Sequence, residues 1–294
     1  MGRKNIGNHT LPNYAFNLLN TLVMLLVVVA TLYPFWYILV GSFSSMNHLY
    51  TAKVLIWPDT WSTEAYRFVL TNERVPRAFL NSAFIVVVGT AISMVLTTLG
   101  SYVLSKKYLP GRNAMTLFVV ITMLFSGGLI PFYMTVRWLG LIDTIWAVIF
   151  PVAISSFNMI IMRNFLMCIP TALEESAQID GARHFRILLQ IYLPLSSPII
   201  ATMILFYAVG YWNSFFYAII FLNTAKYQPI QVLLREVLLQ SRADLLIVED
   251  FRENAPTEIV KMALVIVTVT PIIIIYPFLQ KYFVKGVMIG SIKG

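Results

Sequence analysis

The chain has 294 residues, of which 59% are hydrophobic and 12% charged, with a mean hydropathy of +0.77. A soluble domain carries about 25% charged residues, so this composition excludes a soluble globule and describes an integral membrane protein. The formal net charge is +8, but Lys and Arg are dispersed beside apolar runs, with no basic block, which argues against nucleic acid and for topology signals at a membrane surface. The lone cysteine, Cys168, allows no internal disulfide and no cysteine-based metal site.

Six apolar runs approach or exceed the roughly 20 residues needed to cross about 30 Å of hydrocarbon. They cover about 16–41, 79–105, 114–136, 144–168, 199–222 and 259–284. The first is longer than a signal-peptide core and lacks a small-x-small cleavage site, so it reads as a retained helix. The expected architecture is all-α: one polytopic domain over 1–294 with six transmembrane helices. Its core lies at about 79–284, and a short tail follows at 285–294.

With the N-terminus inside, the inner segments are 1–15, 106–113, 169–198 and 285–294. Basic residues divide almost evenly between the two sides, so the short loops decide. "KKYLPGRN" carries Lys106, Lys107 and Arg112, whereas "RWLGLID" on the other side carries only Arg137. With Arg3 and Lys4 near the start, this favours both termini in the cytoplasm.

No ionisable residue lies well inside any of the six runs. Such residues mark proton relays and ion sites in membranes, so proton-coupled transport is disfavoured, although a sodium site built from carbonyls stays open. There is no H-E-x-x-H and no G-x-x-x-x-G-K-[ST] phosphate loop. Any uphill transport therefore draws its energy from a partner. A self-powered secondary transporter of a small polar solute is the competing reading. A membrane enzyme has no support, because His9, His48 and His184 fall in separate segments.

One stretch interrupts the apolar pattern: "EESAQIDGARHFRILLQIYLPLSSP", from Glu174 to Pro198. Pro170 precedes Thr171, and Thr171 with Glu174 reads as a capping box. Glu174 and Glu175 fall in a first turn, where the helix dipole favours acids. Gly181 permits a turn or a close approach, and a second short helix can run from His184 to Pro194. The expected element is a helix–turn–helix at the membrane surface offering small residues beside charges. A solvated loop between two spans is the plain alternative.

These residues resemble the EAA signature of permease subunits of binding-protein-dependent ABC importers, roughly E-A-A-x-x-D-G-A followed by an aromatic or apolar residue and I-x-L-P. Glu175, Ser176, Ala177, Asp180, Gly181, Ala182, Phe185, Leu193 and Pro194 fill its positions, with Ser176 where Ala is usual. "NSAFIVVVGTAISMVLTTLGSYVLSK", "GGLIPFYMTVRWLGLIDTIWAVIFP", "FYAVGYWNSFFYAIIFL" and "KGVMIGSIKG" extend the likeness to MalG-type carbohydrate permeases over most of the chain. "SGGLIPFY" is similar to a branch handling uronate-containing oligosaccharides such as alginate or pectin fragments.

The resemblance implies a type I importer permease in a bacterial inner membrane. It would pair with a second homologous permease and two ATP-binding cassette subunits that hold ATP and Mg. An extracytoplasmic solute-binding protein would deliver an oligosaccharide. The 170–198 loop would seat in the ATPase, with Glu174 and Glu175 as its acids, Glu175 pairing with a base there. Phe185 would anchor the second helix on the permease and Pro194 would fix the exit into the fifth span.

A sugar path calls for rings and hydroxyls. In the fifth run Met203, Tyr207, Gly210, Tyr211, Ser214 and Tyr217 recur on one helical face, and Asn158 with Ser155 adds a polar point in the fourth. Helix packing explains the same pattern. Trp212 and Asn213 match the family's Trp-Asn step but fall off the stripe; Asn213 is kept as a further candidate for the path. The segments 42–78 and 223–258 would face the binding protein.

Overall fold

The computed structural model describes residues 11–52, 54–239 and 257–291, and every regular element among them is a helix. In chain order they are α1 (Leu11–Phe43), α2 (Met46–Thr51), α3 (Glu64–Thr71), α4 (Arg74–Ser105), α5 (Arg112–Leu124), α6 (Leu129–Trp138), α7 (Trp146–Ile149), α8 (Ser156–Leu166), α9 (Thr171–Ile179) and α10 (His184–Ile187). A π-helical turn at Leu188–Tyr192 leads into α11 (Leu193–Leu195). Then come α12 (Ser197–Trp212), α13 (Phe216–Phe221), α14 (Ile230–Leu239) and α15 (Thr257–Ser291). Arg3, Lys4, Lys293 and the segment 240–256 lie outside the described residues.

Three stretches are long and apolar enough to cross a membrane as single helices: Phe16–Phe43, Arg74–Ser105 and Glu258–Pro277. The third and fourth expected spans are bent pairs, and the fifth is preceded by a bend. Arg112–Leu124 meets Leu129–Trp138 at 113°, Trp146–Val152 meets Ser156–Leu166 at 48°, and His184–Leu195 meets Ser197–Trp212 at 86°. The third apolar run is thus not one straight helix. Gly127 and Gly128 interrupt it, and Gly128 adopts φ +86°, ψ 168°, a region open essentially to glycine alone. The fifth run is also shorter than expected: α12 stops at Trp212, and α13 begins after the turn at Asn213–Phe215.

The chain divides into two compact units. One comprises Met1–Val69 with Leu246–Ile266. Within it α1 is exposed along most of its length, from Phe16 to Phe35, as a helix facing lipid would be. Its far end packs closely, with Gly41 against Met262. The hydroxyl of Ser45 and its amide both donate to Asp59, and these bonds hold the Asp59 carboxyl well below the usual range. Trp36 donates its indole N–H to the Ile56 carbonyl.

The other unit, Leu70–Leu245 with Val267–Gly294, is organised around α4. Small and hydroxylated residues recur along one face of that helix: Ser82, Gly89, Ser93, Thr97 and Ser101 are all buried. In an apolar medium, small residues allow close helix approach and hydroxyls bond across the gap. Gly89 admits the ring of Tyr211 from α12; an added Cβ would lie 2.7 Å from a ring carbon. Ser101 donates to the Met159 carbonyl of α8, and the Ile230 amide at the start of α14 donates to Ser82. Arg163 of α8 donates to the Leu104 carbonyl, satisfying one of the carbonyls left open at the α4 terminus.

Candidate functional site

The polar insert folds as a helix–turn–helix element. Helix α9 ends in a Schellman arrangement: Gly181, at φ +78°, donates its amide to the Gln178 carbonyl, and the Ala182 amide donates to Ala177. The 86° turn at Ser196 then separates the 184–195 segment from α12. The expected capping box does not form. Pro170 occupies the N-cap, Thr171 is already helical, and no side chain caps the helix.

The carboxylate of Glu174 is used elsewhere. Glu174 is 5% exposed and is the one buried residue of α9. It receives Lys106 Nζ at 2.7 Å, the Tyr192 hydroxyl at 2.8 Å and the Tyr108 hydroxyl at 3.2 Å. Lys106 Nζ lies 3.9 Å from the centroids of both the Tyr102 and Tyr192 rings, in cation–π range. Burial pushes the Glu174 carboxyl up, but hydrogen bonds from Lys106 and Tyr192 outweigh it and leave the group below its ordinary value. Burial also pulls the Lys106 ammonium down, against the opposing pull of Glu174. Glu174 is therefore not part of an outward acidic face, because a lysine at the end of α4 turns it inward.

The remaining signature residues behave differently. Glu175, Ser176, Asp180, Gly181 and Pro194 are exposed, while Ala177, Ala182 and Leu193 are half-buried. Phe185 does not anchor the second helix on the rest of the chain; it is 66% exposed. The anchoring falls to Ile187 and Leu188, which pack with Tyr102, Met162, Leu166, Ile199 and Met203. Ile179 projects from the end of α9 at 88% exposure. A groove of about 510 Å³ runs beside it, lined by Tyr108, Gln178, Ala182, Arg183 and His184. The outward face thus combines two exposed apolar groups, Ile179 and Phe185, with acids and small residues. Sequence reading missed Ile179; it stands inside the signature among polar neighbours, and that contrast was the available signal.

The aromatic stripe of the fifth run splits in two. Tyr207, Tyr211, Met203 and Asn158 are buried. Tyr207 pairs with Thr97 at 2.6 Å and accepts the Ser155 amide at 3.1 Å. Tyr211 pairs with Ser93 at 2.9 Å and donates to the Ile149 carbonyl. Both tyrosine hydroxyls are thus taken up by contacts between helices. They join α12 to α4 and to the bend before α8. Ser214 is half-buried and donates to the Tyr211 carbonyl, and Asn213 is exposed at the end of α12.

Tyr217 is half-buried and borders open space. A cavity of about 470 Å³ lies between it and the broken third span, lined also by Ser126, Gly127, Gly128, Phe132 and Thr135. The Phe132 and Tyr217 rings lie 5.3 Å apart. Ser126 accepts the Gly128 amide across the break.

Among the described residues, no group of three or more His, Cys, Asp or Glu side chains could hold a metal ion. What the geometry defines is a set of helices and bent pairs of membrane-spanning length, with an exposed helix–turn–helix element between two of them. Residues 88–289 match the family described as "Binding-protein-dependent transport system inner membrane component", and the chain belongs to that family. It is a transport subunit rather than an enzyme. It is 41% identical to "Polygalacturonan/rhamnogalacturonan transport system permease protein YtcP" of Bacillus subtilis (strain 168), over 97% of this chain and 100% of that one. It is 43% identical to "Protein LplC" of the same organism, over 97% of this chain and 99% of the other. Its fold matches a chain of a crystallised "bacterial ABC transporter involved in the import of the acidic polysaccharide alginate", with TM-score 0.88 and 31% identity over 94% and 99% of the two chains.

Proposed function

We propose that this chain is the permease through which an acidic, uronate-containing oligosaccharide enters the cell. A solute-binding protein on the outer side would deliver the sugar, and two ATP-binding cassette subunits, which would hold ATP and Mg, would drive its import. A second homologous permease completes the membrane domain, and both termini lie in the cytoplasm. One observation carries the substrate class: a 41% identical relative is named for polygalacturonan and rhamnogalacturonan, and a fold match at TM-score 0.88 comes from an alginate importer. Both names denote uronate polymers.

The break in the third span supports a polar path. Helix α5 has 13 residues, about 20 Å at 1.5 Å per residue, so the Phe125–Gly128 break falls past the middle of a hydrocarbon core of about 30 Å. Irregular backbone is tolerated at that depth only where protein buries it or where it lines a water-filled cavity. The space between this break and Tyr217 supplies ring faces for the apolar side of a sugar and hydroxyls for its edges. On this reading the substrate path keeps Tyr217 of the aromatic stripe, adds Ser126 and Thr135, and leaves out Tyr207 and Tyr211.

The outward face of α9 and α10 supports ATPase docking. Glu175, Asp180, Ile179 and Phe185 present acids and apolar groups that would otherwise stand in water, around a turn whose small residues let another surface approach. Calorimetric screening of the cognate binding protein against oligogalacturonides, oligomannuronates, neutral oligosaccharides and peptides tests the substrate class. Tight binding to the uronate oligomers is expected, and tight binding to peptides alone overturns it.

A further inference from the structure

The geometry points to the Glu174–Lys106 pair as the tether through which α9 moves the transmembrane body. This inference rests on the ATPase docking proposed above. Glu174 is the only buried residue of α9, and Ala177 is the only other part of that helix packed against the core cluster beneath it. Of these two contacts Glu174 is the one fixed by hydrogen bonds and charge, so it is the polar route by which a force on the outward face of α9 passes inward. That route ends on Lys106, the C-cap residue of α4. Helix α4 is the element whose hydroxyl-lined face holds α12 through Ser93 and Thr97, and α8 through Ser101. The route thus runs from α9 to the central helix of the unit and from there to α8 and α12.

The chemistry suits a rigid link. A buried ion pair costs desolvation and persists only where geometry and hydrogen bonds are good. Here the carboxylate takes three donors and the ammonium sits between two tyrosine rings. Truncating either partner leaves the other charge buried and uncompensated, so the contact cannot slide by a small amount without large cost. Tyr192 adds a second tie, because the residue that donates to Glu174 also closes the π-helical turn of the return segment. Both arms of the helix–turn–helix are thereby bound to one carboxylate. Glu174 and Lys106 act as positioning residues for coupling and have no contact with the transported solute.

The test uses the whole importer, reconstituted in liposomes with both permeases, the ATPases and the binding protein. Uptake is followed with the oligogalacturonide or oligomannuronate that the wild-type complex accumulates. Glu174→Gln and Lys106→Met are expected to retain the ATPase and its basal hydrolysis while uptake per ATP hydrolysed falls by about tenfold or more, the scale of a lost buried charge contact. The double exchange Glu174→Lys with Lys106→Glu is expected to recover part of it. Uptake per ATP within about twofold of wild type in both single variants overturns the tether. If either single variant fails to assemble, Tyr192→Phe and Tyr108→Phe keep the ion pair and remove one donor each. They are expected to assemble and to lower uptake per ATP, and unchanged coupling in both also overturns it. Ile179→Glu separates the two ideas. Release of the ATPase supports docking at this face, and full retention defeats docking itself, whereas coupled Glu174→Gln beside a released Ile179→Glu defeats the tether alone.

Discussion

Thr97 Oγ1 lies 2.6 Å from the hydroxyl of Tyr207, and the same hydroxyl accepts the Ser155 amide at 3.1 Å. One phenol oxygen thus satisfies groups on α4 and at the bend that opens α8, from its place on α12. In an apolar interior an unpaired hydroxyl or amide is costly, so the tyrosine acts as a three-way joint. Tyr207→Phe should lower the stability of the detergent-solubilised protein by about 1–3 kcal/mol, the cost of leaving buried polar partners unpaired. The apparent affinity for transported sugar should not move. A shift in that affinity with unchanged thermal unfolding would return Tyr207 to the substrate path.

Gly89 of α4 sits directly against the ring of Tyr211 of α12. A methyl group on Gly89 would lie 2.7–2.9 Å from the Tyr211 ring carbons, and that ring is held by its hydroxyl on both Ser93 and the Ile149 carbonyl. Gly89→Ala is therefore expected to destabilise by about 1–3 kcal/mol through overpacking. Residues in contact couple in double-mutant cycles, so Gly89→Ala should cost markedly less in a Tyr211→Ala background. Additive losses in the thermal midpoints would refute the steric reading.

At the docking element, Gly181→Trp and Glu175→Lys should abolish ATPase retention without melting the permease. Gly181 has φ +78° and no heavy atom within 4 Å of an added Cβ. The local cost of a side chain is then backbone strain, about 1–2 kcal/mol. The larger effect is a bulky group standing where another surface must approach. Glu175 is exposed, so reversing its charge disturbs no internal contact. Co-purification of tagged ATPase with each variant is the measurement, with Gly181→Ala as the strain-only control. Normal retention in both variants would sink the docking assignment.

Acid should weaken the Glu174 anchor. Its folded-state carboxyl is held below the ordinary value, so its charge stabilises the fold above the unfolded carboxylate pKa of about 4.3. That contribution is lost as pH falls through the lower folded value. The stability gap between wild type and Glu174→Gln should be constant from pH 8 down to about 5 and shrink below about 4. Thermal unfolding of both proteins across that range checks it; a gap that widens toward acid contradicts the sign.

Much of the architecture was legible along the chain because hydrocarbon imposes its thickness on sequence. The first, second and sixth apolar runs correspond to single long helices and the third and fourth to bent pairs, while the fifth divides into α12 and α13. The insert was legible because its acids, its Asp-Gly step and its prolines interrupt those runs, and Gly181 closes α9 as its position indicated. The 113° break at Gly127–Gly128 was legible only in part. Two adjacent glycines permit such a turn, yet hydropathy sums across them without a gap.

What sequence by itself determined is the membrane character, the six apolar runs and the place of the polar insert that interrupts them, all of which follow from local composition and chain order. Only the tertiary structure decided which way side chains with two plausible roles face. Glu174 and Glu175 are adjacent acids, yet one is buried on Lys106, 68 residues away in the chain, and the other is exposed. Tyr207 and Tyr217 share a stripe, yet one closes a helix joint and the other borders a cavity. Helical periodicity says which residues share a face. It does not say what that face meets, because the neighbour comes from a distant part of the chain and its polar groups decide whether a hydroxyl or carboxylate can be buried.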